Sequence, residues 1–171
     1  MWDISGGIGI PTFWCQLLER DDGPALMPLP ADGFGCHAEA GIALLRALTE
    51  AAQSRLTVIA GARDDTGEAR YRSAIDTDEL QAWRAFLAKR LYRRCFSKVE
   101  SHRFDRFDDE LRWLLDRLRA VGIEQAIVVD LSPASPAPYA VVRVIVPGLE
   151  GFRHGQHAPG PRAQAQMGVG P

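Results

Sequence analysis

The sequence predicts an α/β (α+β) fold, with strands first and last around three helices. Runs near both ends are rich in β-branched and aromatic residues and are bounded by Gly and Pro, as strands are. Three central segments space apolar residues three and four apart, as helices do. At 171 residues the chain suits one domain able to bury a real core.

The first strand is expected within residues 8–18, IGIPTFWCQLL, after a Gly pair. Residues 21–30 hold Gly and prolines and read as a loop or short hairpin return. In Gly33-Phe34-Gly35-Cys36-His37, two glycines flank an aromatic, which marks a tight or closely approached strand. Residues 39–59 turn helical, with Ile42, Leu45, Leu48, Ala52 and Leu56 as the apolar series and Gly61 as the stop. A second helix is expected over 78–94, with Leu80, Trp83, Leu87 and Leu91 facing inward. A third starts near Asp108, carries Phe107, Leu111, Leu114, Leu115 and Leu118 on one face, and stops at Gly122. Strands at 126–131 and 141–146 flank the turn SPASPAP, and their near-continuous apolar runs suit strands covered on both faces. The domain is therefore placed at 1–150, and the Gly/Pro-rich residues 151–171 are expected to be an irregular tail.

Apolar residues at 46% and charged residues at 25% describe a folded globular chain. A net charge of −2 supplies no positive field for nucleic acid or an anionic membrane, so neither is an expected partner. The basic run Lys89 to Arg94 with Lys98 falls at a helix end and reads as a solvated face. Cys15, Cys36 and Cys95 are far apart and odd in number, and read as reduced thiols. The N-terminal stretch has no signal-peptide pattern, and no apolar run approaches the ~20 residues that span a membrane. A cytoplasmic protein is expected.

At 100° per residue, Arg46, Thr49, Glu50, Gln53 and Thr57 fall within about 100° of one another on the first helix. From spacing alone the commoner reading is a solvent-exposed face with i,i+4 charge pairs. The alternative is a cleft-facing polar site whose chemistry suits a nucleotide. Glu50 can hold Mg²⁺ directly or through water, Gln53 can donate and accept at a phosphate or base, and Arg46 can neutralise phosphate charge. Arg55 lies about 180° from Arg46, so a regular helix cannot bring both to one small site. His37 sits where an imidazole could face a ligand at the helix N-terminus, although such a His is more often structural. Arg63-Asp64-Asp65 reads as a surface turn, and His154 with His157 is too small a set for a metal site. Arg143, inside VVRVIVP, needs an outward position or a partner, for which Glu150 is a candidate. P-loop, GxSxG, HExxH and CxxC patterns are absent.

The stretch GFGCHAEAGIALLRALTEAAQSRLTVIAGARDD, residues 33–65, resembles the signature of YcaO-family proteins: a GxGxH strand end, a helix reading ALxRALTEAAQSR, then GxRDD. VVRVIVPGLE, residues 141–150, resembles the C-terminal strand of members associated with a TfuA partner protein. The resemblance implies a YcaO-like mixed sheet and an enzyme using ATP and Mg²⁺ to phosphorylate a backbone amide oxygen of a peptide or protein, giving a thioamide, azoline or amidine. It makes Glu50 the ligand of Mg²⁺ and ATP, places Gln53 and Arg55 in the nucleotide site, and extends that site to Arg46 and His37. It assigns no catalytic residue. Family members carry further ATP- and metal-binding segments upstream, so a truncated domain is expected, with an exposed first strand prone to association into a homo-oligomer. The ending QMGVGP departs from the Pro-rich terminus of azoline-forming members, which favours a thioamide-forming role with a TfuA-like partner. A catalytically incomplete fragment that binds a peptide or partner, and an accessory factor for methylthiolation of a ribosomal protein, are the alternatives.

Overall fold

A computed structural model describes residues 1–18, 30–61, 63, 77–89, 95–132, 138–150 and 160–167. The chain divides into two compact units, Met1–Arg117 and Leu118–Pro171. The expected class is the one observed: α-helices with small antiparallel sheets.

In the first unit, β1 (Trp2–Asp3), β2 (Thr12–Leu17) and β3 (Ala31–Cys36) form an antiparallel sheet in the order β1-β2-β3. Trp14 stands opposite Phe34, so the period-2 alternation sends both to one face. The other face carries Phe13, Cys15, Ala31, Gly33 and Gly35, all buried. Helix α1 (Ala40–Ala60) covers it with Ala40, Ala43, Ala47 and Ala51, which are 0–2% exposed.

The contact is unusually close, and the glycines explain it. A Cβ added to Gly33 would lie 2.1 Å from the Ala51 backbone nitrogen, and one on Gly35 would lie 2.0 Å from the Ala43 carbonyl oxygen. Backbone cannot step aside, so only Gly on the strand and Ala on the helix allow this approach. The face that packs is therefore the alanine series and not the leucine series of the sequence pattern. Leu45, Leu48 and Leu56 are 58%, 40% and 66% exposed, because the glycine strand leaves no room for a larger side chain.

The first strand expected within 8–18 starts at Thr12. Residues Gly6–Ile8 form a 3₁₀ turn closed by Gly9 at φ 73°, and Arg117 Nε donates to the Ile8 carbonyl at 2.8 Å. Helix α1 ends as expected at Gly61, left-handed at φ 58°, with its N–H bonded to the carbonyls of Thr57 and Val58. Helix α2 (Thr77–Ala88) buries Leu80 and half-buries Trp83 and Leu87, while Leu91 lies outside the described residues. Helix α3 (Phe107–Ala120) opens with Asp108, Asp109 and Glu110, favourable to its dipole. It half-buries Leu114, Leu115 and Leu118, but leaves Phe107 90% and Leu111 56% exposed. Gly122, at φ 78°, ends this turn, with its N–H bonded to the Arg119 carbonyl at 2.9 Å.

In the second unit, β4 (Ile127–Asp130) and β5 (Val142–Ile145) form an antiparallel hairpin. Pairing between the described strands is antiparallel, and each paired set joins sequence neighbours without a helical crossover. The expectation that β4 and β5 are covered on both faces is corrected, since every residue of the two strands is exposed. Arg143 therefore takes the outward position and stands opposite Val129. Glu150 is engaged elsewhere: its carboxylate accepts the N–H groups of Arg162 and Ala163 at 3.0 and 2.8 Å. These contacts and Pro161 at the first helical position start α4 (Pro161–Met167), so part of the tail expected to be irregular is helical.

Candidate functional site

The polar stripe of α1 runs beside β3, the end strand of its sheet. Glu50 Oε2 accepts the Phe34 backbone N–H at 2.9 Å, and Arg46 Nη1 donates to the Cys36 carbonyl at 3.0 Å. Two side chains one helical turn apart thus occupy two backbone groups of β3, which ends its sheet among the described strands, and so blunt an edge that could pair with another chain. The Thr49 hydroxyl donates to the Leu45 and Arg46 carbonyls and the Thr57 hydroxyl to the Gln53 carbonyl, turning both back onto the helix. Arg46, Glu50 and Gln53 are exposed and share one face, as the spacing predicts.

The two other residues carried over by the resemblance do not join them. Arg55 is half-buried and lies about 180° around α1 from Arg46. His37 Nδ1 accepts the Glu39 N–H at 2.9 Å, and its Nε2 lies 3.5 Å from Glu110 Oε1. This pattern makes Nε2 the donor, and both ring nitrogens serve the joint between the start of α1 and α3. Along the helix axis the start of α1 lies about 15 Å from Glu50. Arg63 is exposed, while Asp64, Asp65, His154 and His157 lie outside the described residues.

Glu50 fits one role that Mg²⁺ requires. One carboxylate oxygen is held by Phe34, and the other carries no hydrogen bond to a described residue. Mg²⁺ at a nucleotide takes one or two carboxylates and completes its shell with phosphate and water oxygens. No group of three or more His, Cys, Asp or Glu among the described residues could hold a metal without such help. The cysteines do not contribute. They are free, as expected; burial pushes the Cys15 thiol up, and hydrogen bonds from Ser97 pull the exposed Cys95 thiol down.

Sequence reasoning missed the exposed face of the sheet. Trp2 stacks on Trp14 at 4.6 Å and Trp14 on Phe34 at 6.2 Å, while Trp14 Nε1 and Gln16 Nε2 both donate to Asp32 Oδ1. The alternation of Trp14 and Gln16 against Asp32 and Phe34 held that signal, but only the strand register reveals it. A cavity of about 340 Å³ lies apart from the stripe, lined by Asp3, Ser5, Gly9, Pro11, Val99 and Glu100 among others.

The family model for YcaO cyclodehydratase, described as ATP- and Mg²⁺-binding, matches residues 1–150. The chain belongs to the YcaO family. A protein in the tfuA 3′ region of Rhizobium leguminosarum bv. trifolii is 39% identical over 158 residues, covering 91% of this chain and 37% of the relative. A protein of Methanothermobacter thermautotrophicus is 37% identical over 162 residues, covering 88% of this chain and 38% of its own length. The chain thus spans less than two fifths of either relative. Among solved structures, a heterocyclase in complex with substrate and cofactor superimposes with a TM-score of 0.65 at 19% identity, covering 88% of this chain and 19% of that one. The heterocyclase TruD superimposes at 0.56 with 23% identity, again over 19% of its chain. These two structures share the fold. Among the described residues, no helix is long and apolar enough to cross a membrane.

Proposed function

We propose that this chain supplies the nucleotide-binding helix of a YcaO enzyme that uses ATP and Mg²⁺ to activate a backbone amide of a peptide or protein. The observation that carries the reading is the anchored pair on α1: Glu50 and Arg46 are fixed against the β3 edge, and the second Glu50 oxygen carries no hydrogen bond to a described residue. A carboxylate for Mg²⁺, a guanidinium for phosphate and the Gln53 amide beside them form a set suited to ATP. Mg²⁺ bound with ATP would offset the charge that develops on the transferred phosphoryl group, and the chain's own residues would align it. Arg55 acts from the other side of α1 and His37 from its N-terminus, so both support the helix and leave the nucleotide to the stripe.

Within this class we favour thioamide formation with a TfuA-like partner, supported by the tfuA-region relative. Azoline formation is the alternative that the two heterocyclase neighbours favour. A cytoplasmic location accords with a peptide substrate made on the ribosome.

Isothermal titration with MgATP tests the reading. Binding is expected for the wild-type chain and at least tenfold weaker for Glu50→Gln, while Arg55→Gln changes it less than threefold. Equal loss from both variants would place the nucleotide elsewhere. No binding by a folded sample would favour a peptide- or partner-binding fragment, for which the Trp2–Trp14–Phe34 stack, half-buried at both Trp and exposed at Phe34, is the specific support.

A further inference from the structure

The face of the β1-β2-β3 sheet turned away from α1 carries a row of rings across all three strands. Trp2 stacks on Trp14 at 4.6 Å, and Trp14 on Phe34 at 6.2 Å with 7° between their planes. Both Trp are half-buried, whereas Phe34 is 51% exposed. Among the described residues β3 ends the sheet and no second ring stacks on Phe34, so the row is open there to one more planar group. Asp32 stands two residues back on the same face of β3, about 7 Å along the strand. Its Oδ1 accepts Trp14 Nε1 at 2.8 Å and Gln16 Nε2 at 2.9 Å. Gln16 makes its bond while its own Oε1 stays buried without a partner, and turning the amide over would set oxygen against oxygen. Two donors thus fix one oxygen of an exposed carboxylate, and Asp32 Oδ2 carries neither a hydrogen bond nor an ion pair to a described residue.

We infer that this face binds an arginine side chain of a peptide, with the guanidinium stacked on Phe34 at the open end of the row and bonded to Asp32 Oδ2. A guanidinium is planar, and an aromatic face attracts it within about 6 Å of the ring centroid. It also donates through a rigid fork to a carboxylate and is more weakly hydrated than an ammonium, which favours Arg over Lys. A neutral planar group would stack but leave the Asp32 charge unanswered, and a nucleotide would bring phosphate charge toward it. Free arginine carries a carboxylate that Asp32 repels, whereas an arginine within a peptide has none, so the peptide is the favoured source. The site lies on the side of the sheet opposite α1, and the inference does not rest on the nucleotide reading.

Heteronuclear NMR of the 171-residue chain tests it, following the indole N–H signals of Trp2 and Trp14 during titration with the end-capped peptide Gly-Gly-Arg-Gly-Gly. A saturable shift of the Trp14 signal is expected, with binding at least fivefold weaker for the peptide carrying citrulline, which has nearly the shape of arginine and no charge. Asp32→Asn keeps an oxygen for Trp14 and Gln16 while removing the charge, and Phe34→Leu removes the exposed ring. Each should weaken binding at least fivefold, whereas Asp130→Asn, at an exposed carboxylate of the hairpin, leaves it unchanged. The backbone amide spectra check that the variants keep the fold. Equal affinity for the citrulline peptide, indifference to Asp32→Asn, or no shift of Trp14 would each overturn the proposal. Free arginine binding as tightly as the peptide would overturn the peptide source, and a Trp14 shift with MgATP but not with the peptide would give the row to the nucleotide base instead.

Discussion

The sheet under α1 and the β4–β5 hairpin are both antiparallel and built from short strands, yet only the first has a covered face. The contrast does not follow apolar content. β3 reads ADGFGC and is the less apolar, but alternation gives it a face of Ala31, Gly33 and Gly35 that a helix can approach to backbone contact. β4 and β5 read IVVD and VRVI, and all their residues are exposed. In this chain, small residues in register on two elements decide what is buried, while the larger apolar residues remain available to other surfaces.

The largest effect expected from that contrast is at the glycine seam. Gly35→Val must push against the Ala43 carbonyl and the Ala47 nitrogen, at 2.0 and 2.5 Å from a Cβ. It should cost about 3 kcal/mol in urea unfolding, the upper end of overpacking penalties. Val128→Thr, on an exposed strand of the hairpin, should stay within about 0.5 kcal/mol. Similar costs at the two positions would break the comparison.

A smaller effect concerns the segment after the hairpin. The Arg162 and Ala163 N–H groups, and then the Arg162 guanidinium, hold the Glu150 carboxyl below its ordinary value. A folded-state value below the unfolded one means that the contribution is present above the unfolded Glu range, near pH ~4.3, and fades as pH falls through the depressed folded value. Titration followed by NMR should show Glu150 protonating below an ordinary Glu, and the amide signals of residues 161–163 should move with it. Glu150→Gln should abolish that acidic transition. An ordinary Glu titration would remove the capping account of α4.

Much of this was legible in the sequence for reasons that are physical. Gly61 and Gly122 marked helix ends because left-handed backbone at those points favours glycine, and both are left-handed. Leu80, Trp83 and Leu87 were placed on the packed side of α2 by helix spacing, and they are buried or half-buried. The polar stripe was placed by the same geometry, and Arg46, Glu50 and Gln53 share a face. The packing face of α1 was not legible, because apolar periodicity favours leucines over alanines and takes no account of how closely a glycine strand allows a helix to approach. The anchoring of Glu50 and Arg46 on Phe34 and Cys36 was hidden for another reason: it depends on which strand ends the sheet, and strand order is a long-range property. The surroundings of His37 were hidden for the same reason: its position before a helix leaves open a ligand-facing and a structural role, and only the fold sets Glu39 and Glu110 against its two ring nitrogens.

The most direct measurement on the central claim, that ATP and Mg²⁺ meet the chain along the seam between β3 and the polar stripe, is hydrogen–deuterium exchange with and without saturating MgATP. Altered exchange is predicted in peptides covering residues 33–37 and 46–57, including the Phe34 amide that Glu50 holds, with residues 127–130 and 142–145 unchanged. Nucleotide-dependent protection confined to the hairpin, or to residues away from α1 and β3, would contradict it.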